Sequence, residues 1–184
     1  MTISKLCEYC TFKESFMEKE KLLFYNEYEE FYEMAETSIA FQRFCFDAFG
    51  QDLSQDGFSD IEQIDMILPY IPTMGDVHIL DVGCGNGKML RYLQKKTGAF
   101  IHGFDYSQKA IANAQAQFTQ NADFNQGIIG EIEYPNNSFD VVISMDTMYF
   151  SKDMSGFVGQ IKRWLKPDGT LFVGYQEGVD PKDN

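Results

Sequence analysis

The 184-residue sequence has few basic side chains, with 15 lysines and arginines against 28 aspartates and glutamates, so its formal net charge is -13. A surface with this average charge repels a phosphate backbone, which argues against nucleic acid as the main partner. The excess of acids has an ordinary explanation in solubility. We therefore expect the chain to act on something other than DNA or RNA.

Long apolar runs and cysteine-rich segments are also lacking. No run approaches the ~20 apolar residues needed to span a bilayer, and the first residues do not have the pattern of a signal peptide. The four cysteines are too few and too unevenly placed for a disulfide framework. Cys7 and Cys10 have C-x-x-C spacing, but no second such pair or paired histidines complete a metal site. We expect a cytoplasmic protein with free thiols, no metal and no membrane span.

The most informative stretch of the chain is an apolar run that ends in an acid and three alternating glycines, Val77-His-Ile-Leu-Asp81-Val-Gly83-Cys-Gly85-Asn-Gly87-Lys88. The apolar run predicts a strand, and the amphipathic pattern at 89–93 predicts a helix directly after the loop. Glycines allow positive φ and let a ligand lie against the backbone, and the first helical turn has unpaired N–H groups. We therefore expect a ligand on this loop.

The spacing and the acid narrow the kind of ligand. Dinucleotide-binding loops have G-x-G-x-x-G spacing, which would need glycine where Lys88 stands. The Asp81 carboxylate would repel a diphosphate and attract an amino group or a sulfonium. The stretch from Asp81 to Gly87 resembles motif I, D-x-G-x-G-x-G, of the class I S-adenosylmethionine-dependent methyltransferases. This resemblance implies that the cofactor is S-adenosylmethionine.

A second acid supports the same resemblance. Residues 99–105 predict a strand ending at Asp105, 18 positions after Gly87, where an acid can accept both hydroxyls of a ribose. Phe104-Asp105-Tyr106-Ser107 resembles motif II of the family, and Ser107 is expected to cap the next helix. A third strand is predicted at 124–129, and alignment with related enzymes places Ile128 and Ile129 at the adenine, where those enzymes often have an acid.

The remaining pattern completes an α/β fold. A buried strand at 138–145 is followed by Asp146 and Tyr149 at its carboxyl end, where ligands bind in open α/β sheets. An amphipathic helix at 154–165, a turn similar to the family's L-K-P-G-G and a strand at 170–175 follow. The alternation of predicted strands and helices predicts a doubly wound, mostly parallel Rossmann-like sheet in residues 73–184.

Residues 1–72 predict a helical cap or lid, with an aromatic stripe formed by Tyr25, Tyr28 and Phe31 or Tyr32. Most of these aromatics are expected to pack on the sheet domain. The polar loop at 49–60, which contains Gln55, is similar in placement to a loop of phosphoethanolamine methyltransferases, although a plain connector accounts for it equally well. One further helix is predicted at about 61–71.

The fifth strand is expected to form an exposed edge, because the family's usual fold continues with an antiparallel strand pair that this sequence lacks. We expect either a truncated chain or an edge covered by pairing, in a homo-oligomer or with a second subunit.

The function implied by the resemblance is methyl transfer from S-adenosylmethionine to a small-molecule acceptor. A non-catalytic S-adenosylmethionine-binding or regulatory subunit is the alternative, and a nicotinamide-dependent oxidoreductase is opposed by Lys88 and the glycine spacing. The residues expected at the cofactor are Asp81, Gly83, Cys84, Gly85, Asp105, Tyr106, Ile128, Ile129, Met145 and Gln55, and those expected at the acceptor are Tyr25, Asp146 and Tyr149.

Overall fold

Helices and strands alternate through most of the chain in the computed structural model, which describes residues 23–54, 59–118 and 120–174. The α-helices are α1 Tyr25–Thr37, α2 Ile39–Phe49, α3 Ile61–Asp65, α4 Lys88–Thr97, α5 Gln108–Gln117 and α6 Met154–Trp164. The strands are β1 His78–Val82, β2 Phe100–Asp105, β3 Ala122–Gln126, β4 Phe139–Met145 and β5 Leu165–Gly174. Two short 3-10 helices lie at Leu68–Tyr70 and Met148–Phe150.

The five strands form one parallel sheet in the order β3-β2-β1-β4-β5. The central strand β1 pairs with both β2 and β4, so that Ile79 lies between Ile101 and Val141. Both faces of β1 and β4 are buried, which explains why their sequences are continuous apolar runs instead of alternating ones. The predicted doubly wound Rossmann-like fold is confirmed.

Helices cover the sheet on both sides. On one face, Leu90 and Leu93 of α4 and Ile111 of α5 belong to the same buried cluster as Ile79. On the other face, Trp164 of α6 lies in a second cluster with neighbouring sheet residues. This three-layer arrangement leaves the carboxyl ends of β1, β2 and β4 together at one edge of the sheet, where the loops meet.

Helix ends follow the local sequence chemistry. Gly87, with φ of 78°, immediately precedes α4, and Gly98, with φ of 75°, ends it by donating its N–H to Gln94 O. Ser107 caps α5 by accepting a hydrogen bond from Ala110 N, as predicted. Asp60 caps α3 in a reciprocal capping box with Gln63.

Three predicted boundaries are wrong. The helix expected at 61–71 ends at Asp65 and is followed by a 3-10 turn that contains Pro69, a residue without the N–H that an α-helix needs. The third strand spans Ala122–Gln126, so Ile128 and Ile129 lie in the loop after it. The fifth strand starts earlier than expected, at Leu165, because the Lys-Pro-Asp-Gly turn is a bulge within its pairing with β4.

The outer strand β5 pairs with β4, and no second partner strand is found for it in the described parts of the chain. Val173 on this strand is 41% exposed. The subunit expected to cover this edge stays a prediction. Within the same residues, none of the helices is both long and apolar enough to cross a bilayer.

Candidate functional site

An open cleft lies at the carboxyl ends of β1 and β4, between the loops of the sheet and the N-terminal helices. Its lining comes from the end of β1 and the loop after it, the start of α4, the end of β4 and the loop after it, and described residues within 28–54 and 59–64. The lining residues are Tyr28, Tyr32, Leu53, Ser54, Ser59, Ile64, Asp81, Gly83, Cys84, Gly85, Asn86, Met89, Met145, Asp146, Thr147 and Tyr149.

The glycine loop presents bare backbone to this cleft. Gly83 and Gly85 have φ values of 71° and 54°, in the region that disfavours side chains. A Cβ at Gly83 would collide with the Thr147 side chain, and a Cβ at Gly85 would lie 2.5 Å from the hydroxyl oxygen of Tyr32. Both glycines are therefore required by backbone conformation and by packing, and they line the cleft without side chains of their own.

Asp81 lies at the end of β1, is only 2% exposed and lines the cleft. Among the described residues, its buried Oδ1 atom has no hydrogen-bond partner. Burial raises the pKa of this carboxyl well above its usual range, and the nearby Asp105 raises it further. A buried acid without a counter-charge favours a cationic ligand, and the ammonium of an amino acid fits this position.

Asp105 at the end of β2 is 5% exposed, and its two carboxylate oxygens accept hydrogen bonds from Gly85 N (3.0 Å) and Ser107 N (2.9 Å). Burial raises its pKa to about 6, the backbone N–H groups oppose that shift, and the charge of Glu29 adds to it. Asp105 is bonded to the Gly85 N–H and is not among the residues that line the cleft.

Helix α1 packs across the loop after β2 and accounts for the burial there. The Glu29 carboxylate accepts hydrogen bonds from Ser107 Oγ (2.6 Å) and Lys109 N (3.1 Å). The Tyr25 and Tyr28 rings contact Tyr106 at centroid distances of 5.9 and 5.7 Å. The start of α5 is thus covered by α1 in this structure.

A second set of contacts ties the N-terminal segments to the glycine loop. Asn86 donates to the Glu36 carboxylate at 2.6 Å. Lys88 forms an ion pair with Asp52 at 2.8 Å and lies 4.0 Å from Glu36. These contacts hold α1 and the loop after α2 against the loop that follows β1.

At the other side of the cleft, Asp146 follows β4 with φ of 55°, a left-handed conformation that Asp tolerates better than most residues. Its carboxylate accepts a hydrogen bond from Ser59 Oγ at 3.3 Å. Thr147 Oγ1 donates to Val82 O at 2.6 Å, which joins the loops after β1 and β4. Tyr149 lies at the mouth, 61% exposed.

The structure brings only some of the predicted site residues together. Asp81, Gly83, Cys84, Gly85, Met145, Asp146 and Tyr149 line the cleft. Tyr25 is the first residue of α1. The loop after β2, with Asp105 and Tyr106, lies beneath this helix. Ile129 packs against the buried cluster under the sheet, so its side chain is part of the core, and Ile128 lies in the same loop after β3. Gln55 lies outside the described residues.

Nine cleft residues were not predicted as site residues from the sequence: Tyr28, Tyr32, Leu53, Ser54, Ser59, Ile64, Asn86, Met89 and Thr147. Tyr32 belongs to the aromatic stripe of α1, whose spacing is the same for a core residue and for a cleft residue. Ser59 stands beside Asp60, and either could have been the cap of α3.

The described segments contain no group of three or more His, Cys, Asp or Glu side chains that could hold a metal ion. Cys7 and Cys10 lie outside these segments. The two histidines contact each other, with 3.0 Å between His78 Nδ1 and His102 Nε2, near the amino ends of β1 and β2. They are therefore remote from the cleft.

Comparison with known families matches residues 80–173, just over half of the chain, to a family described as "Methyltransferase domain". The chain is 32% identical over 114 residues to sterol 24-C-methyltransferase erg-4 of Neurospora crassa, covering 59% of this chain and 30% of that protein. It is 30% identical over 129 residues to phosphoethanolamine N-methyltransferase of Plasmodium falciparum, covering 68% and 48%. It is also 31% identical over 112 residues to tRNA U34 carboxymethyltransferase of Pseudoalteromonas translucida, covering 59% and 35%. The chain thus spans less than half of the length of these relatives.

Among solved structures, the fold is similar to phosphoethanolamine N-methyltransferase 2 of Haemonchus contortus in complex with phosphomonomethylethanolamine and S-adenosylhomocysteine. The TM-score is 0.62 at 23% identity, with 85% of this chain and 38% of that chain covered. At this identity the likeness concerns the fold.

Proposed function

The chain belongs to the family of S-adenosylmethionine-dependent methyltransferase domains, and on that premise we propose that it transfers a methyl group to a small-molecule acceptor. The observation that carries the proposal is Asp81, an almost fully buried carboxylate beside a bare glycine loop, with an oxygen that has no partner among the described residues. Such a group is costly unless a ligand supplies the missing donor.

The residues around the glycine loop fit S-adenosylmethionine. Asp81 would accept from the amino group of the methionine portion, and the backbone at Gly83 and Gly85 would lie against it. The two Asp105 oxygens each already accept one N–H, and each could accept a second hydrogen bond from a ribose hydroxyl. Because α1 covers Asp105 and this carboxylate does not line the cleft, a ribose would reach it only if α1 moved aside. Tyr106 next to Asp105 offers a ring for the adenine side.

The bound cofactor would supply a methyl group on a positively charged sulfur, which is already a good leaving group. The protein therefore mainly needs to hold the acceptor in line and exclude water, and no dedicated base is required for an acceptor that carries a free electron pair. Met145 at the end of β4, with Asp146 and Tyr149 after it, lines the cleft and would orient the acceptor.

A small acceptor is favoured by the shape and charge of the site. The cleft is bounded by α1 and by Leu53, Ser54, Ser59 and Ile64. Its charged lining groups among the described residues are carboxylates, which repel a nucleic acid backbone. Relatives named for sterol, phosphoethanolamine and tRNA reactions show that the family fold serves different acceptors.

Calorimetric titration with S-adenosylmethionine, S-adenosylhomocysteine and NAD, followed by transfer assays with labelled methyl groups, tests this proposal. We expect binding of the first two and no binding of NAD, with transfer to small acceptors. Failure to bind S-adenosylmethionine at millimolar concentration would overturn the proposal. Binding without transfer to any acceptor would favour a regulatory S-adenosylmethionine-binding subunit.

A further inference from the structure

The charged side chains that line the cleft in the described residues are all acidic: Asp81 and Asp146, with no Lys, Arg or His. Lys88, next to the glycine loop, is engaged by Asp52 and Glu36 at 2.8 and 4.0 Å. The two histidines lie near the opposite end of the sheet. The lining in the described residues therefore offers carboxyl groups and no cation.

The two carboxylates occupy different places in the cleft. Asp81 lies near the end of β1, beside the glycine loop, where the proposed function assigns it to the amino group of the cofactor. Asp146 follows β4, the strand paired with β1, at the position where the acceptor would enter. The proposed function thus assigns a ligand to Asp81 and leaves Asp146 without one.

Asp146 retains capacity for a ligand. Its backbone N–H is held by Gly174 O at 2.9 Å, and its carboxylate accepts one hydrogen bond from Ser59 Oγ at 3.3 Å. A carboxylate can accept about four hydrogen bonds, and Asp146 takes part in none of the ion pairs found within the described residues. The left-handed backbone at φ 55° is a conformation that often occurs at functional sites.

We propose, resting on the function above, that the acceptor is an amine without a phosphate or other anionic group, and that Asp146 binds its N–H donors. An amine offers the donors and the positive charge that Asp146 lacks. A phosphate would face Asp146 with no lining cation in the described residues to bind it. This distinguishes the expected acceptor from that in the name of the Plasmodium relative, phosphoethanolamine.

The transfer step balances for an amine. The bound ammonium first loses one proton to water, and the free electron pair on nitrogen forms the new N–C bond to the methyl carbon. The electron pair of the broken C–S bond stays on sulfur, which becomes neutral. The products are an N-methylammonium and S-adenosylhomocysteine.

A matched panel tests the proposal: the amines ethanolamine and phenethylamine, their neutral analogues ethylene glycol and 2-phenylethanol, and their anionic analogues phosphoethanolamine and phenylacetate. Methyl transfer is measured with labelled cofactor, and binding to the S-adenosylhomocysteine complex is measured by calorimetry. We expect the amines to exceed their anionic analogues by at least tenfold in kcat/KM or in affinity.

The variants Asp146→Asn and Asp47→Asn separate a local effect from a change in overall charge. Asp47 pairs with Arg43 on an exposed face of α2, so D47N removes the same charge away from the cleft. We expect D146N to abolish the preference for amines while its affinity for S-adenosylmethionine stays within twofold of wild type, and D47N to retain the preference.

The outcomes distinguish this inference from the proposed function. Loss of S-adenosylmethionine binding in the wild type would overturn the function itself. With cofactor binding intact, a preference for phosphoethanolamine or for the neutral analogues would overturn the inference. A panel in which no amine binds or is methylated, or an amine preference unchanged in D146N, would overturn it as well.

Discussion

Substituting Asp81 by asparagine is expected to change the stability of the chain and its affinity for the cofactor in opposite directions. The carboxylate is 2% exposed, and its Oδ1 has no hydrogen-bond partner among the described residues. Asparagine has nearly the same shape but no charge. We therefore expect Asp81→Asn to stabilise the ligand-free protein and to weaken S-adenosylmethionine binding.

The magnitudes follow from the burial of this group. A hydrogen bond to a charged group contributes about 1.5 to 3 kcal/mol, so losing it should weaken binding roughly 10- to 150-fold. Leaving a buried polar group unsatisfied costs about 1 to 3 kcal/mol, more when it is charged. Relief of part of that cost should raise the free energy of unfolding of the variant by about 1 kcal/mol at neutral pH.

The stability difference should depend on pH. Burial raises the pKa of Asp81 in the folded chain well above its unfolded value, so the folded state binds more protons between those two pKa values. The wild type therefore loses stability as pH rises through that window, whereas the variant does not. The advantage of D81N should be larger at pH 8 than at pH 5.5.

Urea unfolding at both pH values, with and without S-adenosylmethionine, measures the stability, and calorimetry measures the affinity. Asp47→Asn on the exposed face of α2 is the control for net charge, and it should leave both quantities close to wild type. A D81N protein that is less stable than wild type would refute the argument that the buried carboxylate destabilises the ligand-free chain. A D81N protein that binds the cofactor as well as wild type would refute the argument that Asp81 binds its ammonium.

Three further predictions follow from the same site. Gly85→Ala should lower the melting temperature more than Gly98→Ala, because both have positive φ but only at Gly85 does the new Cβ meet Tyr32, at 2.5 Å; equal losses would contradict this. Because the pKa of Asp105 is raised to about 6, affinity for S-adenosylmethionine should fall as the pH drops below 6, and calorimetry from pH 5 to pH 8 checks this. Glu29→Gln removes a charge that raises the pKa of Asp105, so this loss of affinity should move to lower pH; an unmoved profile would show that Glu29 has no influence there.

Several parts of the site were predictable because their causes are local. The apolar run before Asp81, the glycines after it and the acid at Asp105 each follow from strand burial or from positive φ at neighbouring residues. Ser107 was recognisable as a cap because a cap bonds to a backbone N–H three residues ahead. Patterns of this kind need no knowledge of the rest of the chain.

Other parts depended on contacts between distant segments. The spacing of Tyr32 predicted only a buried helical face, yet its hydroxyl lies against Gly85, and Glu29 reaches Ser107 across 78 positions. Ser59 meets Asp146 across 87 positions. The end of β3 at Gln126 was also missed, because pairing with β2 and not local apolarity sets where that strand stops.

The amino-acid sequence by itself determined the doubly wound sheet, the glycine loop and the acids at the strand ends, since strand burial and turn conformation are written into short, contiguous patterns. Only the tertiary structure decided that α1 covers Asp105, that Lys88 is neutralised by Asp52 and that Asp146 lies in the cleft with no lining cation. The physical reason is that charge compensation and access depend on which side chains meet in space, and those contacts join residues that the sequence keeps far apart.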